Sequence, residues 1–374
     1  MLAESNLPAR LARALPRARA KVYRETMTHS LDADDPCPAR DGYAMPAEWA
    51  AHARTWMCWP CRIEAWGGPE GLLRAKQAYA RVARAISTFE PVTMAVRPQD
   101  AAEAKLACAG KVELFEVPLD DSWARDSGPT FLTGAGGRRA GVQWRFNAWG
   151  NKYRPFDQDA EFATRVLAKE GLPVYRAPLV CEGGAIHSDG EGTLLTTEQC
   201  LLNDNRNPDL TRADVEERLA LFTGARRIIW LGEGFSDDET DGHVDNIACF
   251  VAPGRVAVGV PTSESHPDYV PVMEALRRLK EARDAEGRAF EIVEIVQPRK
   301  PKTDWRGRPL ASSYINFYLP NGGVVMPAFD DPNDEKARSL LADCFPGRDI
   351  LQIDALDLVE GGGGIHCITQ QEPG

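Results

Sequence analysis

Apolar residues recur at helical spacing in five stretches of this chain, and short apolar runs of strand length lie between them. The first helix is expected from about Glu70 to Phe89, with Leu72, Leu73, Tyr79, Val82, Ile86 and Phe89 turned inward. A second starts near Asp157 and carries Phe162, Val166 and Leu167. Thr211 reads as the N-cap of a third, with Asp214 in its first turn and Gly224 as its stop. The fourth spans roughly Tyr269 to Arg283, and the fifth roughly Asn333 to Cys344, ended by Pro346-Gly347. Strand-like runs include GTLLTTEQCLL, NIACFVAPGRVAVGV and SYINFYLPNGGVVMP; the last contains Asn321-Gly322, the pair that a type I′ hairpin favours. GAGGRRAG at 134–141 joins two such runs and reads as a hairpin tip, not a nucleotide loop.

Helix starts near 70, 157, 211, 269 and 333 are 87, 54, 58 and 64 residues apart, which suggests five similar modules, each strand-rich with one helix. EGGAIH at 182–187 recurs as EGGGGIH at 360–366 with one glycine inserted. Such repetition points to a ring or stack of modules in an α/β chain. Residues 41–374 read as one domain, since no Pro/Ser-rich linker divides them. Residues 1–40 read as an extension. Its Arg/Ala-rich start suits a disordered arm or sequence upstream of a start near Met27 or Met45, with a transit-like segment as a third reading.

Charge narrows the class of partner. The 374 residues carry 44 Lys and Arg against 55 Asp and Glu, a net charge of -11, and the first 25 alone are net positive by about 4. The remaining body, at about -15, repels nucleic acid and anionic lipid and concentrates a small cation. No run approaches the length of a membrane span, and the N-terminus has no apolar signal core, so a cytoplasmic location is expected. Nine cysteines, odd in number and irregularly spaced, read as reduced thiols. Cys58-Trp-Pro-Cys61 has no second pair and no βαβ setting, so it is set aside as a redox or zinc motif.

Polar clusters that packing does not require occur at DDSWARDSGPTF, FNAWGNKY, EGGAIHSDGEG, DDETDGHVDN and EGGGGIHCITQQ. Their most suggestive residues, Asp126, Glu182, His243 and Cys367, are separated by 56, 61 and 124, the last being twice 62. One polar residue per module would converge on a common axis, bringing together a thiol, an imidazole and carboxylates suited to nucleophilic chemistry on a cation. Cys367 follows four glycines and reads as a nucleophile. His243 lies between Asp241 and Asp245; in a strand all three would share a face, and the carboxylates would make the imidazole a better proton holder. Asp126 and Asp245 suit the forked donors of a guanidinium. An ordinary pairing of Asp126 with adjacent Arg125 is the plain alternative. Neither an H-E-x-x-H nor a calcium-loop pattern occurs, so no metal is expected.

Taken in order, MPAEWAAHARTWMCWP, DDSWARDSGPTF, FNAWGNKY, EGGAIHSDGEGTLLTTEQCLLNDNRNP, DDETDGHVDNIACF, SYINFYLPNGGVVMPAF and GGGGIHCITQQ resemble the agmatine deiminase family. That family stands with the bacterial-type peptidyl-arginine deiminases among guanidino-group-modifying enzymes, and the resemblance covers roughly residues 42 to 374. It implies a five-bladed α/β propeller of pentein type. It also implies Cys367 as nucleophile, His243 as general acid and base, Asp126 and Asp245 on the guanidinium, Trp123 and Glu182 in the pocket wall, and Glu239 on a distal amine. The implied reaction converts agmatine to N-carbamoylputrescine and ammonia through a covalent thiouronium, on the route to putrescine, with no cofactor. A homodimer is compatible with the family. Asn151 stands where many members have glycine, and Gly364 where asparagine is common. Two readings stay open beside it: an enzyme acting on arginine or peptidyl-arginine, or an amidinotransferase; and, more remotely, a non-catalytic guanidine-binding propeller.

Overall fold

Two consecutive strands can pair antiparallel through a tight turn, but adding a third strand parallel to the second needs a long crossover, which a helix supplies. The chain repeats this unit. In the computed structural model, which describes residues 35–374 except 237, 300, 301, 304–306 and 308, the compact unit runs Pro36–Gly374. Thr130–Gly134 pairs antiparallel with Arg138–Arg145, helix Phe162–Lys169 crosses, and Val174–Val180 pairs parallel. The same order is built by His187–Ser188, Thr193–Thr197, helix Arg212–Thr223 and Arg227–Leu231. It recurs in Ala248–Ala252, Arg255–Val260, helix Tyr269–Glu281 and Glu291–Val296. A fourth copy has a single antiparallel bridge from Tyr318 to Val325, then Gly323–Ala328, helix Asp334–Cys344 and Asp349–Asp354.

Besides a short two-stranded ladder of Lys302–Thr303 with Pro309–Leu310, a fifth sheet is made from both ends of the described chain. His52–Cys58, helix Pro69–Ile86 and Val92–Val96 supply the parallel part, extended by Glu113–Glu116, and the C-terminal strand Gln370–Pro373 supplies the antiparallel partner. Helix Ala101–Ala107, which the apolar pattern did not announce, packs beside Pro69–Ile86. Residues 36–40 also belong to the compact unit rather than to an extension ending at 40: Cys37 is buried and the Ala39 amide donates to Leu221. The rest of the expected extension, residues 1–34, lies outside the described residues.

All five expected helices are present. In Pro69–Ile86 the buried stripe is Ala75, Ala78, Tyr79, Val82, Ala83 and Ile86; Leu73, expected inside, is exposed because it falls off that stripe. Helix Arg212–Thr223 starts on a capping box, Thr211 with Asp214, and ends at Gly224 with φ 73°. The second helix is broken, with Asp157–Ala160 and Phe162–Lys169 on either side of Glu161. Asn321-Gly322 does form a turn, yet only Gly322 has positive φ, so it is not type I′. The reason is tertiary: Asn321 exchanges two hydrogen bonds with the backbone of His52 and its amide donates to Glu90. GAGGRRAG is the expected hairpin tip.

Candidate active site

Every junction from one sheet to the next delivers a polar side chain to one buried cluster. The first, Ala124–Ser127, carries Asp126; the second carries Glu182 and Gly184; the third, around the short turn Val244–Asn246, carries His243 and Asp245. The last carries Cys367, just before strand Gln370–Pro373. The fourth junction contributes Asn316, which sequence reasoning missed. The interval of 124 between His243 and Cys367, two module lengths, signalled that one module had no candidate, but its midpoint at 305 falls short of Asn316, which lies 73 residues after His243 and 51 before Cys367. Asn316 Nδ2 lies 3.3 Å from Cys367 Sγ, and its Oδ1 accepts the His366 amide at 3.0 Å.

Cys367 Sγ is 3.6 Å from Asp245 Oδ2. Burial, then the charges of Asp245 and Asp126, push its thiol well above the usual range, against the backbone of Gly364 and the amide of Asn316. Asp126 accepts from Trp149 Nε1 at 2.9 Å and from the Gly184 amide at 3.0 Å. Burial nonetheless pushes its carboxyl up, though His243 opposes this. Arg125 does not pair with Asp126: its guanidinium reaches Glu48 at 3.2 Å, which removes the plain alternative.

His243 is fully buried, and neither ring nitrogen has a hydrogen-bond partner among the described residues. Nδ1 faces Asp126 at 3.8 Å and Nε2 faces Glu182 at 3.7 Å. Burial works against its charge, but Asp126 and then Cys200 and Glu182 hold its pKa well above the usual value. The expectation that Asp241 and Asp245 flank His243 on a strand face is corrected here. The segment is a turn, Asp241 has φ 63°, and its carboxylate is taken by Lys152, Asn205 and Arg206. Asp126 and Glu182 are the carboxylates against His243, since a turn has no two-residue alternation. Glu182 is fully buried and bonded to Arg206 Nε at 2.7 Å; burial raises its pKa, and Arg206 and His243 more than reverse this.

Asp245 Oδ2 meets His366 Nδ1 at 2.8 Å, while Oδ1 is buried without a hydrogen-bond partner. Burial disfavours its charge, yet His366 holds the carboxyl below its ordinary range. Beside this cluster a narrow pocket is lined by Trp123, Asp126, Trp149, Tyr153, Glu239 and Cys367, together with Gly361, Gly362 and Gly363. Trp123 stacks on Trp66 at 5.7 Å and stands edge-on to Trp149. Glu239 accepts from Tyr153 at 2.7 Å. The glycine run is a spatial necessity, because a Cβ at Gly363 would lie 2.4 Å from Trp123 and one at Gly364 2.3 Å from Asn316.

Among the described residues, Glu182, Cys200 and His243 could hold a metal ion, with donor atoms within 4.8 Å of one another. Burial and the adjacent Glu182 keep the Cys200 thiol up, which favours the protonated form. All nine cysteines are free and buried; burial pushes Cys61 up to about 12 and raises Cys58 well above the usual thiol value.

A family model described as Porphyromonas-type peptidyl-arginine deiminase matches residues 44–373. The chain belongs to that family. An agmatine deiminase of Pseudomonas aeruginosa is 42% identical over 363 residues, covering 90% of this chain and 97% of its own. The solved agmatine deiminase of Enterococcus faecalis superposes with a TM-score of 0.87 at 36% identity, covering 92% of this chain and 99% of the other. The C. jejuni agmatine deiminase gives a TM-score of 0.76 at 28% identity, with 88% and 96% covered. Members of the family thus share the α/β architecture described above. No helix among the described residues is long and apolar enough to cross a membrane.

Proposed function

We propose that the chain is an agmatine deiminase, a hydrolase that cleaves a C–N bond of a linear amidine. One observation carries this reading: a single pocket is lined by a thiol with an adjacent carboxylate, Cys367 and Asp126, and by a further carboxylate, Glu239. A substrate with a guanidinium and a distal ammonium satisfies both carboxylates, whereas the α-carboxylate of arginine would meet Glu239 as a like charge.

In this reading Asp126 and Asp245 bind the guanidinium, with the unpartnered Oδ1 of Asp245 as one acceptor. Trp123 walls the pocket, Glu182, expected there too, stands behind it against His243 and Arg206, and Glu239 receives the distal ammonium. A bound cation beside Sγ lowers the cost of ionising a thiol that burial otherwise keeps protonated. The Cys367 thiol loses its proton to solvent as the cation binds, and the thiolate adds to the guanidinium carbon. His243, held protonated by Asp126 and Glu182, gives its proton to the departing nitrogen, the C–N bond breaks, and ammonia leaves a thiouronium on Cys367. Neutral His243 next takes one proton from water, and the hydroxide adds to the same carbon; as the C–S bond breaks the remaining hydroxyl proton passes to solvent, and N-carbamoylputrescine is released with the thiolate and protonated His243 restored. The two aspartates supply charge and alignment. No step calls on a metal or an organic cofactor.

The test is ammonia release from agmatine and from arginine, with wild type and Cys367→Ser. Turnover of agmatine that disappears in the variant, with arginine inert, is the expected result; no release from either would remove the deiminase reading. One observation favours arginine as a second reading: Lys152 places its ammonium on the Glu239 carbonyl and on Asp241. If arginine is the better substrate and Lys152→Ala depresses only its turnover, that reading replaces agmatine.

We also propose that the five sheets close into a five-bladed propeller, a closure supported by the C-terminal strand completing the sheet begun at His52. A cytoplasmic homodimer feeding putrescine synthesis is part of the same proposal, and light scattering of the purified protein tests the dimer.

A further inference from the structure

His366 adjoins the nucleophile, is buried, and has no part in the reaction just described. Both its ring nitrogens lie 2.8 Å from a carboxylate oxygen, Nδ1 from Asp245 Oδ2 and Nε2 from Glu48 Oε1. An ionised carboxylate only accepts hydrogen bonds, so each of these contacts needs an N–H from the ring, and a neutral imidazole has one. Both carboxyls are held low despite burial, Asp245 chiefly by His366, Glu48 by His366 and then Arg125. The ring therefore carries both protons.

The groups facing this imidazolium come from every element around it. Arg125 donates to Glu48 Oε1 at 3.2 Å and, at 3.4 Å, to the His366 carbonyl. His187, the counterpart of His366 in the repeated EGGAIH segment, stacks on it at 6.4 Å and approaches Glu48 Oε2 at 3.6 Å. Asp245 completes the set, with Cys367 Sγ beyond it. With Oδ2 of Asp245 committed to the ring and the thiol, its buried Oδ1 is left for the substrate.

We infer that His366, fixed as an imidazolium between Asp245 and Glu48, is a positioning residue that aims Asp245 at the guanidinium and offsets the negative field on Cys367. The inference rests on the deiminase reading above for the identity of the substrate, while the geometry stands independently of it. Glu48, four residues before strand His52–Cys58, is the anchor of the bridge.

Two replacements separate the halves of this role. His366→Asn keeps a donor near the Nδ1 position, toward Asp245; His366→Gln keeps one near Nε2, toward Glu48. Expected for His366→Gln is a fall in kcat/KM for agmatine of about 10- to 100-fold, the usual effect of losing a charged hydrogen bond, with a smaller fall for His366→Asn. Iodoacetamide alkylation of Cys367, followed peptide by peptide against pH, should shift its midpoint upward in both, because a cation near the thiolate has been removed. Glu48→Gln, which keeps the shape, should bring the alkaline fall in kcat/KM to lower pH as His366 loses its proton more readily. Melting midpoints of all variants are measured alongside. Wild-type-like kinetics and alkylation in the three variants would overturn the role, as would losses that merely follow the melting midpoints with Asn and Gln indistinguishable. Alkylation needs no turnover, so an inactive wild type would sink the deiminase reading while the alkylation midpoints still decide this one. Should the His366 variants fail to fold, the pH profile of Glu48→Gln decides it.

Discussion

Trp149 donates its indole N–H to Asp126 Oδ2 at 2.9 Å from within a left-handed turn. Ala148, Trp149, Gly150 and Asn151 have φ of 53°, 52°, 87° and 65°, a run that costs an L-residue about 1–2 kcal/mol at each non-glycine position. Asn147 offsets part of this cost by accepting from the Gly150 amide and, through its carbonyl, from that of Asn151. Asn151, flagged because glycine is common there, is accounted for by its φ, since asparagine tolerates this region better than most residues.

Trp149→Phe keeps the ring contacts with Phe146, Trp123 and Tyr153 and removes only the N–H. The expected outcome is a drop of about 10-fold in kcat/KM with agmatine and a nearly unchanged melting midpoint. Unchanged kinetics would mean that the Gly184 amide alone suffices to hold Asp126.

Gly184 sits where three site residues meet. A Cβ there would lie 2.6 Å from His243 Nδ1, 2.9 Å from Asp245 Oδ2 and 3.0 Å from Asp126 Oδ1. Its backbone φ is not one reserved for glycine, so Gly184→Ala should fold and displace the site. We expect at least a 100-fold loss of kcat, since a misplacement of about 1 Å carries that penalty. Activity within threefold of wild type would show that the three side chains can give way without cost.

A pair of buried acids outside the site sets a pH dependence of stability. Burial, and then Asp159, push Asp121 up to about 7, and burial pushes Asp159 up to about 6 from 3.8. Between its unfolded and folded values each carboxyl is more protonated in the folded state, so stability falls as pH rises from about 4 to 7. Asp159→Asn keeps an acceptor for the amides of Asp120 and Asp121 and removes the charge. Urea unfolding should show the variant more stable than wild type by on the order of 2–3 kcal/mol at pH 8 and little different at pH 4. Equal stabilities at pH 8 would show that Arg62, 2.9 Å from Asp121, already compensates the pair.

Much of this molecule was legible from local signals. The five helices follow from periodicity and end signals within their own segments, as with Thr211, Asp214 and Gly224, and the hairpin at 134–141 is a local turn. Asp126, Glu182, His243, Asp245 and Cys367 stood out as polar residues where packing wanted none, and the structure places them in one cluster. The turn at Asn321 was not legible, because its conformation is set by His52 and Glu90 of another module, whereas Leu73 falls off the stripe that the helix's own periodicity defines.

The chain itself determined the order of strands and helices, the modular repeat and the residues carrying chemistry, since those rest on backbone geometry and short-range patterning. Which carboxylate faces which imidazole was decided only by the tertiary structure. His243 reaches Asp126 and Glu182 instead of its sequence neighbour Asp241, and Glu48 meets His366 across 318 positions of sequence. Ion pairs and hydrogen bonds select partners by distance in space, and that distance is set by how the sheets come together.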